Sequence, residues 1–402
     1  MGKNFPFILR LRSIVTAVLG GLLFMGALTG CDMSGHQSTI LTEGPVARSQ
    51  LNVFYVTLWV SIFIFLTVGS VLAYAQIKFR VRKGQEDDDV PPPQTHGHPM
   101  IEMGLICASI LLLVIIAVPT IRGIWFQADT PNREDALVVT VTGYQWWFKF
   151  EYPELGIVTA NELVIPKNRP IHLDLRTLDV IHSFWVPKLA GKVDLIPNRA
   201  NHMWLQADKE GYYWGQCAEF CGESHANMKF RLVSLDEGDF QAWAERQKQE
   251  AREIPEGDTA MTWSNLNPKI QFASLEGTAD TEPEVGSYEG WRRQQFPIGP
   301  EDPQLINEGR TLFRDQKCVM CHTIRGHDAP GIIGPDLTHF GSRTTVAAGL
   351  LDNTPENLGA WISDPESIKP GNIMYRDGYV INKTTLSEKD VQALVAYLNS
   401  LK

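Results

Sequence analysis

Two long apolar stretches dominate the first third of the chain. One covers about residues 51–77 and contains no charged side chain, and the other covers about residues 101–121. Each is long enough to form a helix that crosses a bilayer, which takes roughly 20 residues. Positive charges cluster directly after the first stretch, within residues 78–83, and such a cluster marks the cytoplasmic side of a span. We therefore predict a two-helix transmembrane hairpin within residues 51–125 that returns the chain to the outer face.

Residues 136–235 show a different pattern, in which apolar and polar side chains alternate over short runs. The runs Val138–Thr142 and Ile171–Leu175 alternate in this way, and turn residues such as Pro166 and Asn198 separate them from others. Short alternating runs bounded by turn residues are typical of β-sandwiches and barrels. This pattern predicts an all-β domain over residues 136–235.

The pattern becomes helical again toward the end of the chain. Residues 236–300 begin with a polar stretch that carries Phe240 and Trp243 on one side, which indicates a short helix, and continue with the Glu, Asp, Pro and Gly composition of a linker. From residue 301 onward, apolar residues recur at helical spacing. We predict a helix and linker over residues 236–300, followed by an all-α domain over residues 301–402.

The first 30 residues have the arrangement of a secretory signal peptide. A basic start is followed by an apolar stretch and then by the run Leu28-Thr29-Gly30-Cys31. This ending resembles the lipobox of bacterial lipoproteins, in which the Cys is lipidated and becomes the first residue of the mature chain. The alternative is a signal anchor with an incidental Cys. We predict a lipoprotein signal peptide over residues 1–30, with lipidation at Cys31.

Charge narrows the possible partners. The chain carries a net charge of -10 at pH 7 and has an isoelectric point near 5.5. A chain this acidic is poorly suited to bind the phosphate backbone of nucleic acid. We therefore expect the membrane and other proteins, and no nucleic acid, as partners.

Soft metal donors crowd into one late segment of the predicted β-domain. Cys217, Cys221, His225 and Met228 fall within twelve residues. Sulfur and imidazole ligands together suit copper far better than calcium or magnesium. His182, at the end of an earlier predicted strand, adds a distant imidazole, and an early His paired with a late Cys, His and Met loop is typical of cupredoxin sandwiches.

Two cysteines change the expected stoichiometry of this site. One Cys would give a mononuclear copper site, whereas two can supply bridging thiolates to two copper ions, each with one His. Met228 and a backbone carbonyl would serve as weak outer ligands. A disulfide between Cys217 and Cys221 and a structural zinc site remain alternatives. For His172 and His202, structural roles fit better than metal binding.

A second motif predicts a covalent haem. Cys318 and Cys321 stand two residues apart and His322 follows directly, which is the pattern of a c-type haem attachment site. The two thiols would form thioethers and His322 would bind the iron. Met374 follows a Pro-Gly turn and is the expected sixth iron ligand of a His/Met cytochrome. His327 and His339 are the competing candidates for that position.

These motifs resemble subunit II of haem–copper cytochrome c oxidases of the caa type, in which a cytochrome c domain is fused to the C-terminus. The match covers the hairpin, the β-domain and the copper loop over about residues 50–235, and residues 301–402 resemble class I cytochrome c. The resemblance implies a binuclear copper centre, CuA. Its ligands would be the side chains of His182, Cys217, Cys221, His225 and Met228 and the backbone carbonyl of Glu219.

The resemblance also assigns roles outside the copper ligands. The Glu219 carboxylate would reach a magnesium ion at the boundary with subunit I. Trp146, in an aromatic run similar to the tryptophan-rich segment beside CuA, would be the electron-entry residue, although a buried strand aromatic is also possible. Glu102 matches a glutamate at the mouth of a proton-uptake channel, and a solvated acid at the membrane border is the alternative. The Pro335 carbonyl would accept a hydrogen bond from the His322 ring.

The fold class that we predict is a multidomain membrane protein: a two-helix hairpin, an all-β cupredoxin-like domain and an all-α class I cytochrome c domain. The resemblance implies a subunit that passes electrons from an external donor through haem c and CuA to haem a in subunit I, for oxygen reduction coupled to proton pumping. Expected partners are oxidase subunits I and III and a donor, either cytochrome c or a quinol:cytochrome c oxidoreductase. The location would be the bacterial inner membrane, with both redox domains on its periplasmic or outer face.

Two other functions are compatible with parts of this pattern. A membrane-tethered copper carrier would account for the copper donors but not for the haem motif. A quinol oxidase subunit would share the hairpin and the sandwich, but relatives of that kind lack the copper ligands that are present here.

Overall fold

The computed structural model describes residues 20–21, 33–80, 97–253, 286–296 and 301–402. The predicted lipidation site Cys31 and nearly all of the predicted signal peptide lie outside the described residues, as does most of the predicted linker.

Two long helices form the hairpin. Helix α1 spans Pro45–Lys78 and helix α2 spans Pro99–Ala128, and both begin with a Pro in the first turn, where its missing N–H costs nothing. Both are long and apolar enough to cross a membrane. Gln50 donates to the Gln127 side chain at 2.7 Å and ties the two helices together near their outer ends.

Helix α1 starts before the predicted span because its first turn belongs to the β-domain. Val46 and Ala47 are buried, and the Ala47 amide donates to the Leu189 carbonyl at 3.1 Å. The 34 residues of α1 correspond to about 51 Å of helix, well beyond the roughly 30 Å of a bilayer core. The extra length attaches the membrane helix directly to the sandwich.

The β-domain contains ten strands in two five-stranded sheets. In chain order the strands β1 to β10 are Leu137–Tyr144, Trp147–Tyr152, Ile157–Ala160, Glu162–Pro166, Ile171–Thr177, His182–Trp185, Lys192–Leu195, Asn201–Leu205, Gly211–Cys217 and Lys229–Leu235.

The sheets have the orders β3-β2-β1-β5-β8 and β4-β10-β9-β6-β7. Pairs β1–β5 and β4–β10 are parallel, and the other pairs are antiparallel. Four phenylalanines fill the space between the sheets with edge-to-face and stacked contacts, and all four are fully buried: Phe148, Phe150, Phe184 and Phe230. This is the sandwich that the alternating pattern predicts.

Two short helices outside the sandwich connect it to the last domain. Helix α3, Glu237–Gln247, buries Phe240 and Trp243 against the sandwich, as their spacing predicts. Helix α4, Tyr288–Gln294, inserts Trp291, which is fully buried and donates to the Glu162 carboxylate at 3.0 Å.

The last domain is helical. Its helices α5 to α8 are Pro303–Asp315, Pro355–Ser363, Pro365–Ile368 and Glu388–Ser400. A π-helix spans Met374–Ile381, and the domain also has two pairs of two-residue strands and 3-10 helices at Cys318–Met320 and Phe340–Ser342. Helix α5 crosses α8 at Gly309, where a side chain would collide with the backbone of Ala393. The predicted fold class is confirmed in all three parts.

Candidate metal centre and haem cavity

The soft donors converge at one end of the sheet that contains β6, β9 and β10. Strand β9 ends at Cys217, and β10 begins just after Met228. The Cys217 amide donates to the Met228 carbonyl at 2.9 Å, which closes the loop between them. Strand β6 pairs with β9 and begins at His182, so the distant imidazole arrives at the open end of the loop.

The Cys217 sulfur lies at the centre of the first group of contacts. It is 3.8 Å from the Cys221 sulfur, 3.9 Å from His182 Nδ1 and 3.3 Å from the Glu219 carbonyl oxygen. The structure has no disulfide between the two cysteines. Two separate sulfurs at this distance can both face one small metal cluster.

The Cys221 sulfur makes the second group of contacts. It lies 3.5 Å from His225 Nδ1 and 3.9 Å from the Met228 sulfur. Each thiol therefore has one imidazole beside it, with a thioether near one thiol and a carbonyl near the other. The structure brings together all six donors that the sequence predicts.

The two thiols titrate as a pair because they share a hydrogen bond. The contact with Cys221 lowers the pKa of Cys217, and the same contact raises the pKa of Cys221. Such a pair loses its first proton readily. It loses the second only when another group stabilises the second thiolate. A bound metal supplies that help, since metals bind the thiolate form and release protons.

An aspartate outside the donor set orients the first imidazole. His182 Nε2 bonds the Asp179 carboxylate at 2.7 Å, which leaves Nδ1 facing Cys217. Burial by itself would lower the pKa of His182, but the bonds to Asp179 and Cys217 outweigh it and the pKa is raised. Gly143 makes room for the ring, because a Cβ there would lie 2.7 Å from His182 Cδ2.

This donor set fits copper better than zinc. A structural zinc ion takes four ligands in a tetrahedron, whereas this site has six donors, two of which are sulfurs that lie side by side. Thiolate, imidazole and thioether donors together match copper chemistry, and two sulfurs side by side can bridge two ions.

A large cavity in the helical domain carries the haem motif. Cys318, Cys321, His322 and Met374 all line it. Its walls are mainly apolar, with contributions from Phe313, Leu358, Trp361, Ile362, Leu394 and Leu398. An apolar cavity with two thiols, an imidazole and a thioether fits a covalently attached haem.

A hydrogen bond to the backbone fixes the orientation of the His322 ring. Its Nδ1 lies 2.9 Å from the Pro335 carbonyl oxygen. Because a carbonyl can only accept, Nδ1 carries the proton and Nε2 is left as a donor for a metal. Gly334 packs against the ring, where a Cβ would lie 2.7 Å from Cε1. Burial lowers the pKa of His322, which favours the neutral, metal-binding form.

The two histidines that compete with Met374 as sixth iron ligand bond to other groups. His327 Nδ1 bonds the Tyr397 hydroxyl at 2.9 Å, and His339 Nε2 bonds the Gln249 carbonyl at 3.1 Å. Within the described part of the chain, neither histidine lines the cavity that contains Met374.

Trp146 lies between the two sites. Its indole Nε1 donates to the Cys221 carbonyl at 3.0 Å, and the residue also lines the haem cavity. The side chain is 8% exposed. One buried aromatic residue therefore contacts the copper-loop backbone and also borders the haem cavity.

The remaining predicted residues lie apart from this centre or at its edge. The Glu219 side chain is exposed while its carbonyl faces Cys217. Glu102 lies in the first turn of α2 and is exposed. His172 bonds the Thr130 hydroxyl at 2.7 Å and His202 bonds the Ala128 carbonyl at 3.2 Å, in line with their predicted structural roles.

Three contributors to the site received no role from the sequence. Asp179 orients His182, Gln145 donates to the Cys221 carbonyl at 2.8 Å, and Lys369 bonds the Trp146 carbonyl at 2.8 Å. An acid three residues before a metal-binding His is a detectable local signal for Asp179. Lys369 is 223 residues from Trp146, and no local pattern indicates such a contact.

Comparison with known proteins agrees with this geometry. The family described as cytochrome c oxidase subunit II, periplasmic domain, matches residues 155–234, and the cytochrome c family matches residues 306–402. Cytochrome c oxidase subunit 2 of Alkalihalophilus pseudofirmus is 35% identical over 396 residues, covering 97% of this chain and 95% of the relative. That of Bacillus subtilis is 29% identical over 391 residues, covering 93% and 94%. Quinol oxidase subunit 2 of Bacillus subtilis is 30% identical over 265 residues, covering 63% of this chain and 81% of the relative.

The fold and the two sites define a membrane-anchored redox subunit, in which a cupredoxin-like domain is joined to a cytochrome c domain outside the membrane. The chain belongs to the cytochrome c oxidase subunit 2 family. It is therefore part of a haem–copper terminal oxidase and associates with other oxidase subunits. Membership implies copper in the cupredoxin-like domain and haem c in the last domain.

Proposed function

We propose that this chain is the electron-entry subunit of an aerobic, caa-type terminal oxidase. When bound, a covalent haem c and a binuclear CuA centre would supply the one-electron carriers between an external donor and haem a of subunit I, where oxygen reduction drives proton pumping. The chain itself would bind these groups, orient them and exclude water between them.

The proposed copper ligands are His182, Cys217, Cys221, His225 and Met228, with the carbonyl of Glu219. Their arrangement around two unbonded sulfurs supports two copper ions. Cys217 and Cys221 would bridge the ions, and Asp179 would fix the His182 ring. Such an outer partner typically changes metal affinity by about 10–100-fold.

The proposed haem attachment uses Cys318 and Cys321 for the thioethers and His322 and Met374 for the iron. The bond between His322 Nδ1 and the Pro335 carbonyl supports this role for the imidazole. A His/Met ligand pair raises the potential of the haem, which suits a carrier placed between a donor and a copper centre.

The position of Trp146 is the observation that supports this proposal most directly. Its indole contacts the copper loop through the Cys221 carbonyl and also lines the haem cavity; Gln145 does both as well, but Trp146 is the aromatic one of the two. We propose it as the point of electron entry to the copper centre. Its side chain is only 8% exposed and so adds buried apolar surface between the copper loop and the haem cavity.

Several further roles rest on family resemblance. The exposed Glu219 carboxylate would share a magnesium ion with subunit I, and Glu102 would serve proton uptake. Cys31 would carry a lipid, and the protein would span the bacterial inner membrane with its redox domains on the periplasmic or outer face. Subunit III and a cytochrome c or quinol:cytochrome c oxidoreductase donor complete the proposed partners.

The similarity to a quinol oxidase subunit favours a second candidate, in which electrons arrive from quinol without copper. The full set of copper donors in this chain supports the first candidate instead. Metal content separates the two.

The test is analysis of the complex purified from membranes. We expect two copper ions and one covalent haem c per chain, and an electron paramagnetic resonance signal in which one unpaired electron is shared by both coppers. Zinc in place of copper, or a cystine at Cys217 and Cys221, would contradict the proposal. Haem without copper would favour the quinol candidate.

The sixth iron ligand has its own test. Replacing Met374 with Leu should abolish the sulfur-to-iron charge-transfer absorption band and lower the haem reduction potential, because thioether ligation raises that potential. His327→Ala and His339→Ala are the matched controls and should leave both readings unchanged. Absence of the band from the wild-type protein, with a changed haem reduction potential in one histidine variant and none in Met374→Leu, would assign the ligand to that histidine.

A further inference from the structure

A buried lysine joins the two redox domains. Lys369 is 3% exposed, and its ammonium donates to three backbone carbonyls: Trp146 at 2.8 Å, Asn227 at 2.9 Å and Ala347 at 3.0 Å. Three is the full donor capacity of an ammonium group. Trp146 and Asn227 belong to the cupredoxin-like domain, and Ala347 belongs to the cytochrome c domain.

Burying the Lys369 ammonium costs free energy. Burial disfavours the ammonium and lowers the pKa of Lys369 to about 7. A buried charge is tolerated only where its hydrogen bonds are satisfied. Buried polar groups of this kind can fix one arrangement of the parts that they connect.

The segment that follows Lys369 is held to the same neighbours. Ser224 donates to the Pro370 carbonyl at 2.7 Å. Gly371 has a positive φ of 75°, and a Cβ there would lie 2.9 Å from the Glu223 carboxylate and 3.0 Å from the Trp146 ring. The described loop that leads to Met374 is therefore in close contact with the loop that leads to Met228.

The loop is also stiff within itself. The Asn372 side chain donates to the Lys369 carbonyl at 2.7 Å and to the Pro365 carbonyl at 2.9 Å, and it accepts from the Tyr375 amide at 2.8 Å. Displacement of Lys369 would therefore be transmitted to the start of the π-helix that contains Met374.

We propose that Lys369 is a positioning residue for electron transfer: it fixes the loop that carries Met374 to Trp146 and to the copper loop, and so sets the separation between the haem cavity and the copper donors. This inference rests on the proposed function. Lys369 borders the haem cavity, and it would act through the backbone segments that it holds.

Other contacts keep the domains attached when this one is removed. The Tyr212 and Thr344 hydroxyls are 2.7 Å apart, and the Lys229 amide donates to the Ala348 carbonyl at 3.0 Å. The Glu162 carboxylate accepts from the Thr344 hydroxyl at 2.9 Å. Loss of the Lys369 contacts should thus loosen two loops without separating the domains.

The test compares Lys369→Met with Lys402→Met in the intact oxidase. Lys402 is a matched control, because it also donates to two backbone carbonyls, those of Gln294 at 2.9 Å and Phe296 at 2.8 Å. We expect both variants to keep wild-type copper and haem content. In Lys369→Met, amide hydrogen exchange in residues 222–228 and 369–374 should rise about tenfold or more, the factor expected for losing a charged hydrogen bond. The rate of electron transfer from photoreduced haem to copper should fall by at least about tenfold.

The outcomes separate this inference from the proposed function. Unchanged exchange and an unchanged transfer rate in Lys369→Met would overturn the role of Lys369, as would equal changes in Lys402→Met. A wild-type complex that holds both cofactors but passes no electron between them would overturn the proposed function itself. If Lys369→Met does not assemble, Gly371→Ala decides, because the residue has a φ of 75° and its Cβ would press on the Trp146 ring 3.0 Å away; unchanged exchange and rate in that variant would overturn the inference.

Discussion

Replacing Cys217 with Ser is expected to remove copper from the protein and leave the covalent haem in place. The Cys217 sulfur contacts His182, the Cys221 sulfur and the Glu219 carbonyl. A serine hydroxyl stays protonated and cannot act as the bridging thiolate that copper prefers. Since even outer partners of metal ligands change affinity by about 10–100-fold, the loss here should exceed about 100-fold.

Copper analysis and electron paramagnetic resonance of the purified complex measure this effect. Cys107→Ser is the matched control, because Cys107 is a free, exposed cysteine in α2 and lies far along the chain from the cluster. We expect wild-type copper in the control and wild-type haem in both variants. Full copper occupancy in Cys217→Ser would show that the metal binds elsewhere.

The second large effect is expected in the double variant Cys318→Ala with Cys321→Ala. Both thiols line the haem cavity, and covalent attachment requires a thioether to at least one of them. Haem staining of the chain after denaturing electrophoresis should fall to background. Copper should be retained, because the cupredoxin-like domain has its own hydrophobic core, separate from that of the cytochrome c domain.

Met320→Leu is the control for this experiment. Met320 lies between the two cysteines but is 57% exposed, so its replacement should leave staining at the wild-type level. Haem that stays bound through denaturation in the double variant would contradict the attachment site.

The proposed metal donors could be picked out from sequence because few side chains bind a soft metal ion. Two thiols, an imidazole and a thioether within twelve residues form a ligand set that suits a soft metal ion, and the structure brings them together with His182. The domain classes were predictable for a similar reason, since periods of 2 and 3.6 residues report which face of an element is buried.

What could not be predicted depends on contacts between distant segments. Trp291 lies in a linker-like region, and its hydrogen-bond partner Glu162 stands 129 residues earlier in the chain. Lys369 has an ordinary local context, and its three carbonyl partners come from both folded domains. The early start of α1 at Pro45 reflects packing against Leu189 rather than any apolar periodicity. Such features follow from tertiary geometry, which local patterns do not encode.

The burial of Val46 and Ala47 in the sandwich has a mechanical consequence. A membrane helix that continues without a break into a folded domain is a rigid connection rather than a flexible linker. The height of the copper donors above the lipid headgroups is thereby set by the length of one helix. A partner embedded in the same bilayer would meet those donors at a constant level.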